Sequence, residues 1–189
     1  MKKIIAAIIA FVIISITVAS VLSFDTIETI EVEKTEHGGY NIINKMKSNN
    51  TMDMSVSYSV KPLSDGVYHV KVNIDNQNFA DSLSHQNRYY EGRNIRADLC
   101  ITGTPIIEYA ACLKTGKSDD TLYASPRLSY YDDKITASFE TEGSFVSLDM
   151  FVIGEFDLND LNLTYDIKGK SIRLLNSFID NSVQISLGA

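Results

Sequence analysis

The chain is short of the residues from which catalytic and metal centres are most often built, with three histidines and two cysteines in 189 residues. His37, His69 and His85 lie far apart, and no two stand at a metal-ligand spacing such as H-x-x-x-H, so only the fold could assemble a zinc site. Neither G-x-S-x-G nor H-E-x-x-H occurs, and "TGKS" at 115–118 lacks the earlier glycine of a phosphate-binding loop, whose place falls on Ala111. Cys100 and Cys112 do not form C-x-x-C, and nothing beside them in sequence lowers a thiol pKa, which speaks against redox catalysis. Proline and glycine are sparse, at 3 and 10 residues, and no linker, repeat or low-complexity tract breaks the chain. Positive charge is scarce as well: 17 Lys and Arg stand against 24 Asp and Glu, for a net charge of -7. A surface of that sign repels DNA, RNA and anionic lipid unless the charge is reversed locally. The sequence implies no cofactor and no resident metal.

What is present begins at the N-terminus. Lys2 and Lys3 precede an uncharged apolar run from Ile4 to Phe24, and Asp25, Glu28, Glu31 and Glu33 follow it. Basic residues before such a run and acids after it predict export, N-terminus inside and the remainder outside. The run is about as long as the roughly 20 residues that cross a bilayer as a helix. Ser15, Thr17 and Ser20 soften its second half, and Val18-Ala19-Ser20 offers a small-residue cleavage site. Residues 1–24 are therefore a cleaved signal peptide or a retained membrane anchor. No cysteine lies near the end of the run, which excludes a bacterial lipoprotein anchor. Residues 25–189 suffice for one extracytoplasmic domain.

That domain reads as strands. In "MSVSYSV", Met54, Val56, Tyr58 and Val60 share one face and Ser55, Ser57 and Ser59 the other. The turn "PLSDG" leads into "VYHVKVNI", where Tyr68, Val70, Val72 and Ile74 alternate with His69, Lys71 and Asn73, predicting an antiparallel hairpin. Ile135, Ala137 and Phe139 continue the rhythm, and a meander into "FVSLDMFVI" follows. That segment is apolar on both faces, as a central strand covered on both sides would be. "LTYDI" and "SIRLL" predict a hairpin turning at Lys168-Gly169-Lys170, and "SVQISL" a final strand. "FDLNDLNLTYD" holds Asp157, Asn159 and Asp160, but Leu161 takes the third ligand position of a calcium loop and the glycine is missing. A solvated acidic turn is the simpler reading. Asn49 and Asn162 fit the N-glycosylation pattern, which matters only in a host that glycosylates.

Two segments interrupt the strands. In "TPIIEYAACLKTG", Thr104 can cap a helix, Pro105 suits its first turn and Gly116 can close it; the rival is a strand with Ile107, Tyr109, Ala111 and Leu113 facing the core. The cysteines favour the helix. Folded back beside a strand over 95–102, it sets Cys112 about 12 Å from the turn and Cys100 about 13 Å, at matching height. In an exported protein the pair predicts a Cys100–Cys112 disulfide, a structural link of about 3 kcal/mol. The second segment predicts a short helix from Asn78, with Phe79, Leu83 and Tyr90 inward and Gly92 as terminator.

On the outer side of that helix, and just after it, stand His85, Arg88, Tyr89, Arg93 and Arg96, a basic and aromatic cluster on an acidic chain. Arg suits bidentate contacts with carboxylates and Tyr offers rigid stacking area, so the cluster is the candidate binding surface. The competing reading pairs the arginines with Asp81, Glu91 and Asp98. The fold class is mainly β, an antiparallel sandwich, immunoglobulin-like or related, of about seven to nine strands with one or two short inserted helices behind an N-terminal hydrophobic helix. Such a domain without a catalytic constellation is expected to bind a protein or glycan partner at the cell surface. The alternatives are a structural subunit of a surface assembly, pilin-like or adhesin-like, and a secreted hydrolase built around His85.

Overall fold

A computed structural model describes residues 27–46, 51–76, 88–116, 120–171 and 178–188. They form strands throughout: β1 (Ile27–Lys34), β2 (Tyr40–Met46), β3 (Thr51–Ser64), β4 (Val67–Asp75), β5 (Arg88–Gly103), β6 (Ile106–Thr115), β7 (Thr121–Ala124), β8 (Arg127–Tyr131), β9 (Lys134–Thr141), β10 (Phe145–Ile153), β11 (Phe156–Ser171) and β12 (Phe178–Gly188). Two antiparallel sheets result, one of seven strands in the order β1-β2-β3-β4-β10-β6-β7 and one of five in the order β12-β11-β5-β9-β8. The apolar run Ile4 to Phe24 lies outside the described residues, and among the described residues no helix is long and apolar enough to cross a membrane.

One core joins the sheets. Met54, Val56, Val70, Val72, Ile74, Leu148 and Met150 come from the larger sheet, and Ile95, Ala97, Leu99, Ile101, Ala137, Leu161 and Leu163 from the smaller. In the strands that carry these residues every second side chain faces the partner sheet, as period-two alternation requires. A polar contact crosses the core, where Tyr165 of β11 donates to Asn44 Oδ1 of β2 at 2.5 Å with both residues buried. Burial pushes the Tyr165 hydroxyl pKa above its usual range.

The β3–β4 hairpin forms as the alternation predicts, Val56 opposite Ile74 and Val60 opposite Val70. The final strand is β12, paired with β11. Elsewhere the structure corrects the sequence reading. There are twelve strands among the described residues, more than the seven to nine expected, and no helix. Residues 106–115 are the strand β6, and the part of the second predicted helix that is described, Arg88 to Gly92, belongs to β5. The meander does not form, because β9 lies in the smaller sheet and β10 in the larger. β11 runs straight through Gly169, where a register shift and not a turn marks the glycine. β10 is central, between β4 and β6, but its outer face is open at Phe151.

Two crossings between sheets depend on glycine. Gly103, at the β5–β6 crossing, has φ +106°, and a Cβ there would meet the Glu155 carbonyl oxygen at 2.7 Å. Gly143, at the β9–β10 crossing, is packed against the Thr115 backbone, so any Cβ would collide with it. A buried polar knot closes this second crossing: Thr141 Oγ1 donates to the Thr115 carbonyl at 2.7 Å, and Asn76 Nδ2 donates to the Gly143 carbonyl at 3.2 Å.

The expected Cys100–Cys112 disulfide is absent; both thiols are free. Alternation explains it. Ala97, Leu99 and Ile101 fill the core, so Cys100 points to the outer face of the smaller sheet, at 8% exposure. Cys112 joins the core on the inner face of the larger sheet, at 2%. A whole sheet separates side chains so directed, and no bridge can form.

Candidate functional site

The predicted surface is only partly described. His85 lies outside the described residues. Arg88, Tyr89 and Arg93 sit in β5 opposite Ser171, Lys170 and Ile167 of β11, on the part of that strand that continues past β9, whose last pairing partner is Ile95. Their backbone is described and their side chains are not. Arg96 is exposed on the outer face of β5 and meets Asp98 at 3.4 Å, two residues along the same face. Pairing with a neighbouring carboxylate is therefore realised at this position. Asp157, Asn159 and Asp160 stand on β11 at a register shift between Leu158 and Leu161, and Asn159 Nδ2 donates to Thr102 Oγ1 at 2.9 Å. Among the described residues no three His, Cys, Asp or Glu side chains converge as a metal site would need.

Arg96 also lines a cavity of about 260 Å³ that the sequence did not suggest. Strand pairing assembles it: Arg96 lies opposite Glu140 of β9, Arg127 of β8 opposite Ser138, and Lys114 of β6 opposite Leu122 of β7. Ser125, where the chain passes from β7 toward β8, completes the polar lining, and Cys112 and Phe139 supply apolar wall. The Cys112 thiol pKa is pushed up to about 11, chiefly by burial, with Lys114 lowering it and Asp149 raising it. It stays protonated and is no nucleophile at neutral pH.

The second feature occupies the outer face of the seven-stranded sheet. Three lateral rows of side chains cross it, because residues directly opposite on paired strands become neighbours. One row runs Ser57, Asn73, Ser147, Leu113, Tyr123; the next Ser59, Lys71, Asp149, Ala111; the third Lys61, His69, Phe151, Tyr109. Each begins polar on β3 and ends apolar on β6 or β7. Between the outer rows, where the middle row carries only Ala111, a trough of about 240 Å³ opens, walled by Tyr109, Phe151, Leu113 and Tyr123. His69 Nε2 meets Asp149 Oδ1 at 2.7 Å at its polar end, and Lys71 Nζ lies 3.7 Å from Asp149 Oδ2. The Phe151 ring is 5.3 Å from His69 and 5.8 Å from Tyr109. Tyr123 is 85% exposed, Tyr109 52% and Phe151 38%.

A single irregularity creates this trough. The β10–β6 register shifts between Phe151, opposite Tyr109, and Val152, opposite Ile107, leaving Glu108 as an extra residue. The bulge turns Tyr109, Ala111 and Leu113 outward, whereas an unbroken strand starting at Ile107 would have turned them to the core. Neither the helical nor the strand reading of this segment anticipated that. The signal available was the exposed-face neighbour, Phe151, an aromatic on the same face as Ser147 and Asp149. Among the described residues no hydroxyl or thiol hydrogen-bonds His69.

Fold and surface together define a two-sheet antiparallel β domain with an aromatic trough on one outer face and a basic cavity beside one edge. No protein-family model matches the chain, and no curated protein does. Solved structures align with it loosely. The collagen-binding domain from a Staphylococcus aureus adhesin aligns at 10% identity and a TM-score of 0.30, over 71% of this chain and 95% of that one. A DUF4466 family protein from Parabacteroides merdae aligns at 9% and 0.32, over 71% of this chain and 43% of that one. A structure of manganese lipoxygenase of Gaeumannomyces graminis with partial zonadhesin of Komagataella pastoris aligns at 11% and 0.33, over 80% of this chain and 55% of that one. Against the second and third, the chain spans less than two thirds of the matched length. Similarities of this size transfer no partner.

Proposed function

We propose that the chain is an exported or membrane-anchored binding module that recognises a protein or glycan partner at the cell surface without chemistry on it. The trough supports this reading most directly. Solvent-exposed rings on both sides of a small floor residue, with a hydrogen-bonded carboxylate and imidazole at one end, offer stacking area and polar orientation to a planar group or a sugar ring. Lys2, Lys3, the apolar run and the acids after it support export, with residues 1–24 as signal peptide or anchor and 25–189 outside. Assembly by strand exchange is less well supported at the larger sheet. Its edge strand β1 carries Glu28, Glu31, Glu33 and Lys34, and its other edge, β7, is four residues long; charged and short edges discourage added strands.

The test compares surface capture by three proteins: wild type, a Tyr109→Ser/Tyr123→Ser/Phe151→Ser variant, and an Arg88→Ala/Tyr89→Ala/Arg93→Ala variant. Each is presented to a glycan array and to intact cells of the native host. The trough variant should fold and lose capture. Undiminished capture by that variant, with loss in the arginine variant, would move the binding surface to the start of β5.

A further inference from the structure

We infer that the cavity between the sheet edges, lined by Arg96, Lys114, Arg127 and Glu140, binds a singly charged carboxylated sugar unit. The inference is independent of the trough, which lies on the outer face of the larger sheet, so either can stand if the other falls.

Charge selects the ligand. On a chain of net charge -7, three cations around one cavity are a local reversal. Arg96 is matched by Asp98, and Glu140 answers one further charge. Among the described residues Lys114 and Arg127 form no ion pair, so one positive charge is left uncompensated. A monoanion completes that balance. A phosphate dianion would exceed it and face the Glu140 carboxylate.

Shape and polar lining select further. Arg127 presents a planar fork that takes a carboxylate bidentately, which a lysine cannot do. Ser125 and Ser138 offer hydroxyls that both donate and accept, and Glu140 accepts only, the set needed to meet the hydroxyls of a sugar. At about 260 Å³ the cavity falls below the roughly 300–1,000 Å³ of drug-sized sites. That is room for one ring.

The test is calorimetric titration of the full chain with methyl glucuronide, and with methyl glucoside, inorganic phosphate and N-acetyl-aspartyl amide as comparators. Methyl glucuronide should bind saturably, with each comparator at least about tenfold weaker. Arg127→Gln should weaken glucuronide binding about tenfold and Arg127→Lys, which keeps the charge and loses the fork, by less. Lys114→Gln supplies the same reading if the Arg127 variants unfold, and Ser57→Ala, on the far half of the larger sheet, should change nothing. Absence of saturable binding, or equal binding of the neutral glucoside, would overturn the proposal. Phosphate binding more tightly than the glucuronide would show an inorganic anion site instead. Equal binding of the aspartyl amide would make the ligand an acidic side chain and remove the sugar.

Discussion

The outer face of the seven-stranded sheet has two halves that solve the same problem differently. On β3 and β4 it is covered by Ser55, Ser57, Ser59, Lys71 and Asn73, with Asn73 Nδ2 donating to Ser57 Oγ at 3.1 Å. On β10, β6 and β7 the same lateral rows end in Phe151, Tyr109 and Tyr123. Both halves cover one continuous core, so the fold does not require aromatic rings there. The serine half acts as an internal control: a sheet face that needs only to be soluble is built from short polar groups. Rings left open to water across the remainder point to a use, since contiguous exposed apolar patches mark interaction sites.

If the halves differ only at the surface, truncating the core beneath each must cost alike. Met54, 2% exposed, lies under the serine half, and Leu148, fully buried, under the aromatic half. Met54→Ala and Leu148→Ala should each lower stability by about 2–5 kcal/mol in chemical denaturation. A much smaller loss at Leu148 would mean that the aromatic half is loosely packed, and the contrast would then be one of packing. Next in size is Tyr165→Phe, which removes the buried hydroxyl contact with Asn44 across the core. The expected loss is about 1–3 kcal/mol.

Alkaline pH probes the two halves through their buried titrating groups. Tyr58 faces inward beneath the serine half, and burial, reinforced by Tyr40 and Asp160, pushes its hydroxyl above the usual range. Cys112 sits beneath the aromatic half, pushed up to about 11. A raised folded-state pKa contributes stability that is present below the unfolded value and lost as pH rises through the folded one. The unfolding midpoint should therefore decline from about pH 9 upward, and in Cys112→Ala the decline should begin near pH 10, where tyrosine takes over. An unchanged onset in Cys112→Ala would show the thiol to be hydrated.

The serine half was also the legible half. Met54, Val56 and Tyr58 alternate without interruption, and Asp65-Gly66 closes the turn, so local pattern and tertiary structure agree. The aromatic half was hidden by the bulge at Glu108, because a one-residue insertion exchanges the faces of everything beyond it and leaves no mark in composition. Thr104 and Pro105 carry helix-start signals, yet Gly103 with its positive φ sends the chain across to the other sheet, and burial on both sides outweighs local propensity. The disulfide reading failed with the helix it rested on. Of the predicted arginine surface, Arg96 alone has its side chain among the described residues, and its place beside Arg127 and Lys114 depends on strand pairings between segments far apart in sequence.

The smallest expected stability effect is the most informative for function. Replacing Tyr109, Tyr123 and Phe151 by serine makes the aromatic half resemble the control half. Tyr123 stands largely in water, and Tyr109 and Phe151 are partly covered, so each substitution should cost no more than about 1 kcal/mol. The converse replacement, Ser57→Tyr with Asn73→Phe, should be tolerated as well and should create no capture, since no bulge opens a trough beside β3. If the serine variant instead unfolds at much lower denaturant, the rings are structural cover and the face is no binding surface. If it folds as wild type and loses capture, the difference between the halves is the function.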